Sequence, residues 1–222
     1  MDVGAGTGKY ARHGVGLGYR LIAVEPSQTM IDQGGEIPGV RWIKACAEDV
    51  IPGLVAQGAM AVLTVHHWQD LERGVANIRG WLHGRSPFLL FTYDPLGLRR
   101  FWLTSYFAFL AEDERIFRPR SQMQALLGRH WQDVEVVPFP LPHDLRDQFL
   151  AAHWRHPEAY TRPEVLAGMS TFATQDPVLV QAGVARLRAD LDSGKWLVEH
   201  GAILEGATYD AGYYLLRARD RA

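Results

Sequence analysis

From Met1 to Tyr93 short apolar runs alternate with amphipathic stretches. Val3 leads into a glycine-rich turn and a first helix. Arg20-Leu21-Ile22-Ala23-Val24 reads as a second strand, and Val40-Arg41-Trp42-Ile43-Lys44 alternates apolar and polar as a third. Ala59 to Val65 is apolar until Thr64, which suits a strand buried on both faces, and Phe88 to Tyr93 makes a fifth. Between them Ser27 can cap a helix through Met30 and Ile31 to about Gln33. Asp70 can cap another, whose face Leu71, Val75, Ile78 and Leu82 keeps a spacing of three and four. Strands alternating with helices predict a mostly parallel α/β sheet covered on both faces.

Beyond Asp94-Pro95 the rhythm changes. Leu98, Phe101, Trp102 and Phe109 share one helical face and Leu103, Tyr106, Phe107 and Leu110 the other, which predicts a buried helix. Ser121 and Gln124 have capping-box spacing for a helix ending near Arg129. Val134 to Phe139 is a sixth strand, and Gly212 to Ala218 a last one. Helices are expected at about Leu145 to His156, Pro163 to Ala173 and Pro177 to Asp192, the last capped by Asp176 and stopped by Gly194.

Ligands in such sheets lie outside the carboxyl ends of the strands. Four turns fall there: Gly4 to Gly8, Glu25, Cys46 to Glu48, and Thr64 to Trp68. Gly4 and Gly6 let the backbone turn tightly and approach a ligand. An acid about 20 residues beyond the first glycine can accept from two ribose hydroxyls, which is the place of Glu25. A dinucleotide fingerprint, Gly-x-Gly-x-x-Gly, is not met: the sixth position is Lys9 and the third glycine comes one residue early, at Gly8.

Composition narrows the class. A chain of 222 residues with 47% hydrophobic and 22% charged residues is ordinary for a globular protein. A net charge of −2 calls for neither nucleic acid nor an acidic membrane surface. The single cysteine, Cys46, allows no intrachain disulfide, and no apolar run is long enough to span a bilayer, so a cytoplasmic location is expected.

The run Asp2-Val3-Gly4-Ala5-Gly6-Thr7-Gly8, with Val24-Glu25-Pro26 behind it, resembles the first motif of class I S-adenosylmethionine-dependent methyltransferases. From Met1 to about Tyr93 the chain is similar to their small-molecule branch, which contains the trans-aconitate methyltransferase-like enzymes. The C-terminal segment, with Gly194-Lys195-Trp196 and Asp210-Ala211-Gly212-Tyr213, resembles some members more loosely. The resemblance implies a Rossmann-like fold with a seven-stranded sheet. It implies one domain, with a cofactor-binding half at 1–95 and an acceptor-side half at 96–222 carrying a helical insertion at about 145–195. It implies S-adenosylmethionine as cofactor, a small-molecule methyl acceptor and no metal. Asp2, Gly4, Ala5, Gly6 and Gly8 would underlie the cofactor, Glu25 would hold the ribose, and Pro26 and Met30 would flank the adenine. Cys46, Ala47 and Glu48 would meet the adenine edge, and Thr64, His67 and Trp68 would line the methionine and acceptor side. Many members carry an acid where Cys46 stands, and Glu48 can substitute for it. The usual Pro-Gly-Gly turn is Arg85-Ser86-Pro87 here. Members carry several tens of residues ahead of this motif, so the chain is expected to lack its natural beginning and to gain stability from an upstream extension.

One of His66 and His67, His67 first, is a candidate base, since imidazole titrates near neutrality; the other reading is that both only shape the pocket. His153 and His156 read as a solvated helix face, Arg99 and Arg100 as exposed, and Phe101 to Phe109 as core. The competing readings of the whole are an NAD(P)-dependent oxidoreductase and a cofactor-binding remnant that no longer methylates.

Overall fold

The computed structural model describes residues 1–115, 117–145 and 147–221. In chain order come β1 (Asp2–Val3), α1 (Lys9–Gly16), β2 (Leu21–Val24), α2 (Gln28–Gly34), β3 (Val40–Ile43) and β4 (Ala59–Val62). A 3₁₀ turn at Val65–His67 precedes α3 (Leu71–Trp81), β5 (Phe88–Tyr93) and α4 (Pro95–Leu98). Then follow α5 (Arg120–Leu127), β6 (Asp133–Pro138), β7 (Leu141–Pro142), α6 (Pro163–Ala167) and α7 (Ser170–Ala173). The chain closes with α8 (Pro177–Asp192), α9 (Lys195–His200), β8 (Thr208–Tyr209) and β9 (Tyr213–Arg219). Two compact units result. Met1–Thr92, Arg120–Val137 and the chain from Tyr214 form the first; Tyr93–Pro119 and Pro138–Tyr213 form the second.

The first unit carries the expected seven-stranded sheet, in the order β3-β2-β1-β4-β5-β9-β6. β1 lies between β2 and β4 and runs parallel to both, Asp2 standing opposite Ala23 on one side and Met60 on the other. β2 with β3 and β4 with β5 are parallel too. Val3, Ala61, Phe88, Leu90 and Leu216 of the strands close over Val75, Ile78 and Leu127 of α3 and α5. The opposite face packs Ala23 and Leu21 against Ala11 of α1. Each fully buried Val, Leu, Ile or Phe among them contributes about 1.5–3 kcal/mol, which is what holds the strand ends in register. α3 starts as its sequence predicts, with the Asp70 carboxylate accepting from Arg73 N at 3.1 Å.

Helix α5 departs from expectation at its start. Ser121 lies within its first turn, behind Arg120, and is not its cap. The Gln124 side chain donates to Val134 O of β6 at 3.0 Å, so it serves the sheet and not a capping box.

The second unit is less helical than its sequence suggests. Phe101 to Leu110 is buried as expected, but in 3₁₀ turns at Trp102–Ser105 and Ala108–Arg115. No helix forms over Leu145 to His156, of which Arg146 lies outside the described residues. Turns there place Trp154, whose indole donates to Pro142 O at 3.3 Å, and Leu150, whose carbonyl accepts from Tyr160 Oη at 2.8 Å. His153 accordingly sits in a turn and not on a helix face. The helix expected over Pro163 to Ala173 breaks between α6 and α7, at Gly168 and Met169. The antiparallel pair β7 and β8, brought together from distant parts of the chain, and α9 are further elements of this unit. The Asp190 carboxylate ties α8 to α9, accepting from Tyr106 Oη at 2.9 Å and from Lys195 Nζ at 2.8 Å.

Candidate active site

The glycine turn opens directly from β1. Gly4 N and Ala5 N donate to Val24 O at 2.8 and 3.1 Å, which pins the turn to the end of β2. Gly4 and Gly6 have φ of 74 and 56°, a region that side chains with a Cβ rarely adopt. The two serve different purposes. A Cβ on Gly4 would stand 2.0 Å from Thr64 Oγ1, so Gly4 is needed for the buried Thr64 to close on β1. A Cβ on Gly6 would meet nothing within 4 Å; its bare backbone faces open space that a ligand can fill. Thr64 is delivered by Leu63, which at φ 50° is the only non-glycine residue with positive φ among the described residues. Such a conformation costs roughly 1–2 kcal/mol.

Glu25 is 7% exposed and its carboxylate is already oriented. Oε2 accepts from Gly6 N at 2.8 Å and Oε1 from Ser27 N at 2.9 Å. Each oxygen keeps a second lone pair, so the pair can still receive two hydroxyl donors. Asp2 lies beneath the turn, 2% exposed, with Oδ2 lacking a hydrogen-bond partner. Burial, reinforced by the Glu25 carboxylate, pushes its carboxyl up to about 6.

The third turn is built by its own side chains. Cys46 N donates to Asp49 Oδ2 at 2.7 Å, and Asn77 Nδ2 of α3 donates to Ala47 O and Asp49 O, both at 3.0 Å. Glu48 Oε1 accepts from Gln69 N at 2.7 Å and Asp70 N at 3.3 Å. The Cys46 thiol is exposed and free. Desolvation first, then the carboxylates of Asp49, Glu48 and Glu25, raise its pKa.

The fourth turn carries two histidines whose rings lie 3.9 Å apart. Burial, and next His67, drive His66 down to about 3. Desolvation lowers His67 as well, against the pull of the Glu25 carboxylate. Both imidazoles are therefore neutral at pH 7, which leaves His67 able to take a proton.

These turns enclose a cavity of about 160 Å³ lined by Gly4, Glu25, Pro26, Ala45, Cys46, Ala47, Glu48, Thr64, His67 and Trp68. Of the residues singled out from the sequence, Asp2, Ala5, Gly6, Gly8 and Met30 do not line it. Ala5 and Gly8 belong to the turn itself, Asp2 lies below it, and Met30 is 42% exposed on α2. Trp68 stands beside Ala47 of the third turn: both approach the same point of α3, at Gly74. Ala45, Asn77 and Gly74 escaped the sequence reading. The only sign of Asn77 is a carboxamide lying between Val75 and Ile78, two buried positions of the amphipathic helix α3.

Two carboxylates and no lysine or arginine line the cavity. That field suits a cation and opposes a pyrophosphate. A larger cavity of about 650 Å³ lies at the other end of the strands, lined by Met1, Tyr19, Leu21, Val55, Met60 and Leu89 among others. It lacks carboxylates and the glycine turn, so the smaller cavity is the one equipped for chemistry. Among the described residues no three His, Cys, Asp or Glu side chains converge as a metal site would need.

Comparison with known proteins agrees with this geometry. A family model described as a methyltransferase domain matches residues 1–90. A solved structure from Anabaena variabilis, assigned as a methyltransferase from an antibiotic biosynthesis pathway, is 37% identical, with 98% of this chain and 88% of that chain covered and a TM-score of 0.93. A S-adenosylmethionine-dependent methyltransferase from Archaeoglobus fulgidus is 14% identical over 98% of this chain and 84% of that one, TM-score 0.55. Phosphoethanolamine N-methyltransferase 2 of Haemonchus contortus, solved with S-adenosyl-L-methionine, is 14% identical with a TM-score of 0.60; the match takes in 100% of this chain and 48% of that one. No curated protein sequence matches the chain. The nicotinamide reading is thereby set aside: the chain belongs to the class I methyltransferases, the family that uses S-adenosylmethionine.

Proposed function

We propose that the protein transfers a methyl group from S-adenosylmethionine to an oxygen, nitrogen or carbon nucleophile of a small molecule, as in the branch that includes the trans-aconitate methyltransferase-like enzymes. When bound, the cofactor supplies an activated sulfonium methyl group. The chain's own part is to bind, align and exclude water. Glu25 takes the two ribose hydroxyls, Gly4 to Gly8 underlie the cofactor, and Pro26 with the turn at Cys46 to Glu48 bounds the adenine. The neutral His67 is placed to accept a proton from an acceptor that must lose one. A free cysteine at the surface fits a reducing, cytoplasmic setting.

The observation that carries this reading is the buried Glu25 carboxylate, held by two backbone amides in the lining of an electronegative slot. Charge-assisted hydrogen bonds of this kind are worth roughly 1.5–3 kcal/mol each. Glu25→Ala is therefore expected to weaken S-adenosylhomocysteine binding at least about tenfold by calorimetry, with the fold intact. Equal affinities for the two proteins would remove Glu25 from the site.

A further inference from the structure

Helix α3 contains two glycines, Gly74 and Gly80, although glycine in a helix interior is destabilising relative to alanine. They differ in what surrounds them. A Cβ on Gly80 would meet nothing within 4 Å. A Cβ on Gly74 would stand 2.7 Å from Trp68 Cε3, 3.1 Å from Trp68 Cζ3 and 3.4 Å from Ala47 Cβ. Trp68 and Ala47 both line the cavity, and they reach α3 from different turns. The turn bearing Ala47 cannot yield easily, because Asn77 Nδ2 holds the carbonyls of Ala47 and Asp49. Glu48 fastens the same turn to the entrance of α3 through Gln69 N and Asp70 N. One wall of the slot is thus clamped. The other, the Trp68 indole, lies back on the helix only because position 74 has no side chain.

We propose that Gly74 is a positioning residue that sets the width of the adenine side of the cofactor slot, by giving Trp68 room to lie against α3. The inference rests on the cavity being the cofactor site. A methyl group at position 74 leaves the clamped turn where it is and drives the indole off the helix, into the slot. Helix stability is given up at Gly74 for a specific contact; at Gly80 nothing comparable is in reach.

The test is a double-mutant cycle with S-adenosylhomocysteine as the probe, read by calorimetry and thermal melting of the ligand-free proteins. Gly74→Ala is expected to fold and to bind at least about tenfold more weakly than wild type. In a Trp68→Leu background, where the indole is gone, Gly74→Ala is expected to change affinity less than about twofold. Gly80→Ala is expected to melt higher than wild type and to bind equally well. Binding of Gly74→Ala within about twofold of wild type overturns the proposal, and so does an equal loss in both backgrounds. Should Gly74→Ala alone fail to fold, recovery of folding by Trp68→Leu supports the proposal and no recovery overturns it. Glu25→Ala in the same series separates the two levels. If it binds as wild type does, the cofactor reading has failed and the proposal with it; if it loses affinity while Gly74→Ala does not, only the proposal has failed.

Discussion

At the carboxyl ends of the strands the cavity holds about 160 Å³, and at the amino ends one of about 650 Å³. The smaller has two lining carboxylates, a turn with three left-handed glycines beside it and a strained Leu63. The larger is lined by apolar side chains with Arg20, Arg41 and Gln57 among them, and by no carboxylate. Volume and chemistry point in opposite directions. A ligand site needs a few convergent polar groups held in place, and backbone strain persists only where the surroundings enforce it. Both are found at the carboxyl ends. The comparison teaches that the lining carboxylates and the one non-glycine residue with positive φ among the described residues lie at the same end of this sheet.

That contrast can be broken most severely at Gly4. Gly4→Ala places a Cβ against Thr64 Oγ1 at a φ of 74°, where alanine is strained. Overpacking of about 1–3 kcal/mol adds to a left-handed penalty of roughly 1–2 kcal/mol. Binding of S-adenosylhomocysteine is expected to fall beyond calorimetric detection, and the melting temperature by several degrees. Retained binding would show that the closure of Thr64 on β1 is not needed.

Asp2 sits between the two ends and offers a stability measurement. Its carboxyl titrates near 3.8 when unfolded and at about 6 when folded. Between those values the native state binds the extra proton, so this group's contribution falls as pH rises and its penalty is complete above pH 6. Asp2→Asn is therefore expected to stabilise the ligand-free protein by about 1–3 kcal/mol at pH 8 and little near pH 4. Thermal melts at the two pH values decide it. A uniform gain across pH would mean that Asp2 is not the titrating group.

How much of this was legible follows the same divide between local and tertiary causes. The glycine turn, Glu25 and strands β2 to β5 could be read because each depends on neighbours within a few residues. Asp94-Pro95 could also be read as a change of character. The stretch from Leu145 to His156 could not. Its apolar spacing fits a helix, but Trp154 and Tyr160 use their polar tips on the carbonyls of Pro142 and Leu150. Ser121 looked like a cap because Gln124 follows at the right distance, while the structure spends Gln124 on β6. Asn77 and Gly74 matter through contacts some 6 to 30 residues away in sequence, and no periodicity reports those.

The smallest effect is expected at the amino ends. Val55 is 56% exposed and lines the larger cavity. Val55→Lys puts a charge into that cavity and is expected to change S-adenosylhomocysteine affinity less than about twofold, since surface substitutions are usually worth within about 0.5 kcal/mol. A tenfold loss would move the ligand to the wrong end of the sheet.

The location of the cofactor is the central claim, and backbone amide shift mapping tests it most directly. On titration with S-adenosylhomocysteine the amides of Gly6, Ser27 and Ala47 are expected to shift and saturate together, while those of Arg20, Gln57 and Gly58 stay in place. Saturable shifts confined to Arg20, Gln57 and Gly58 would contradict the account.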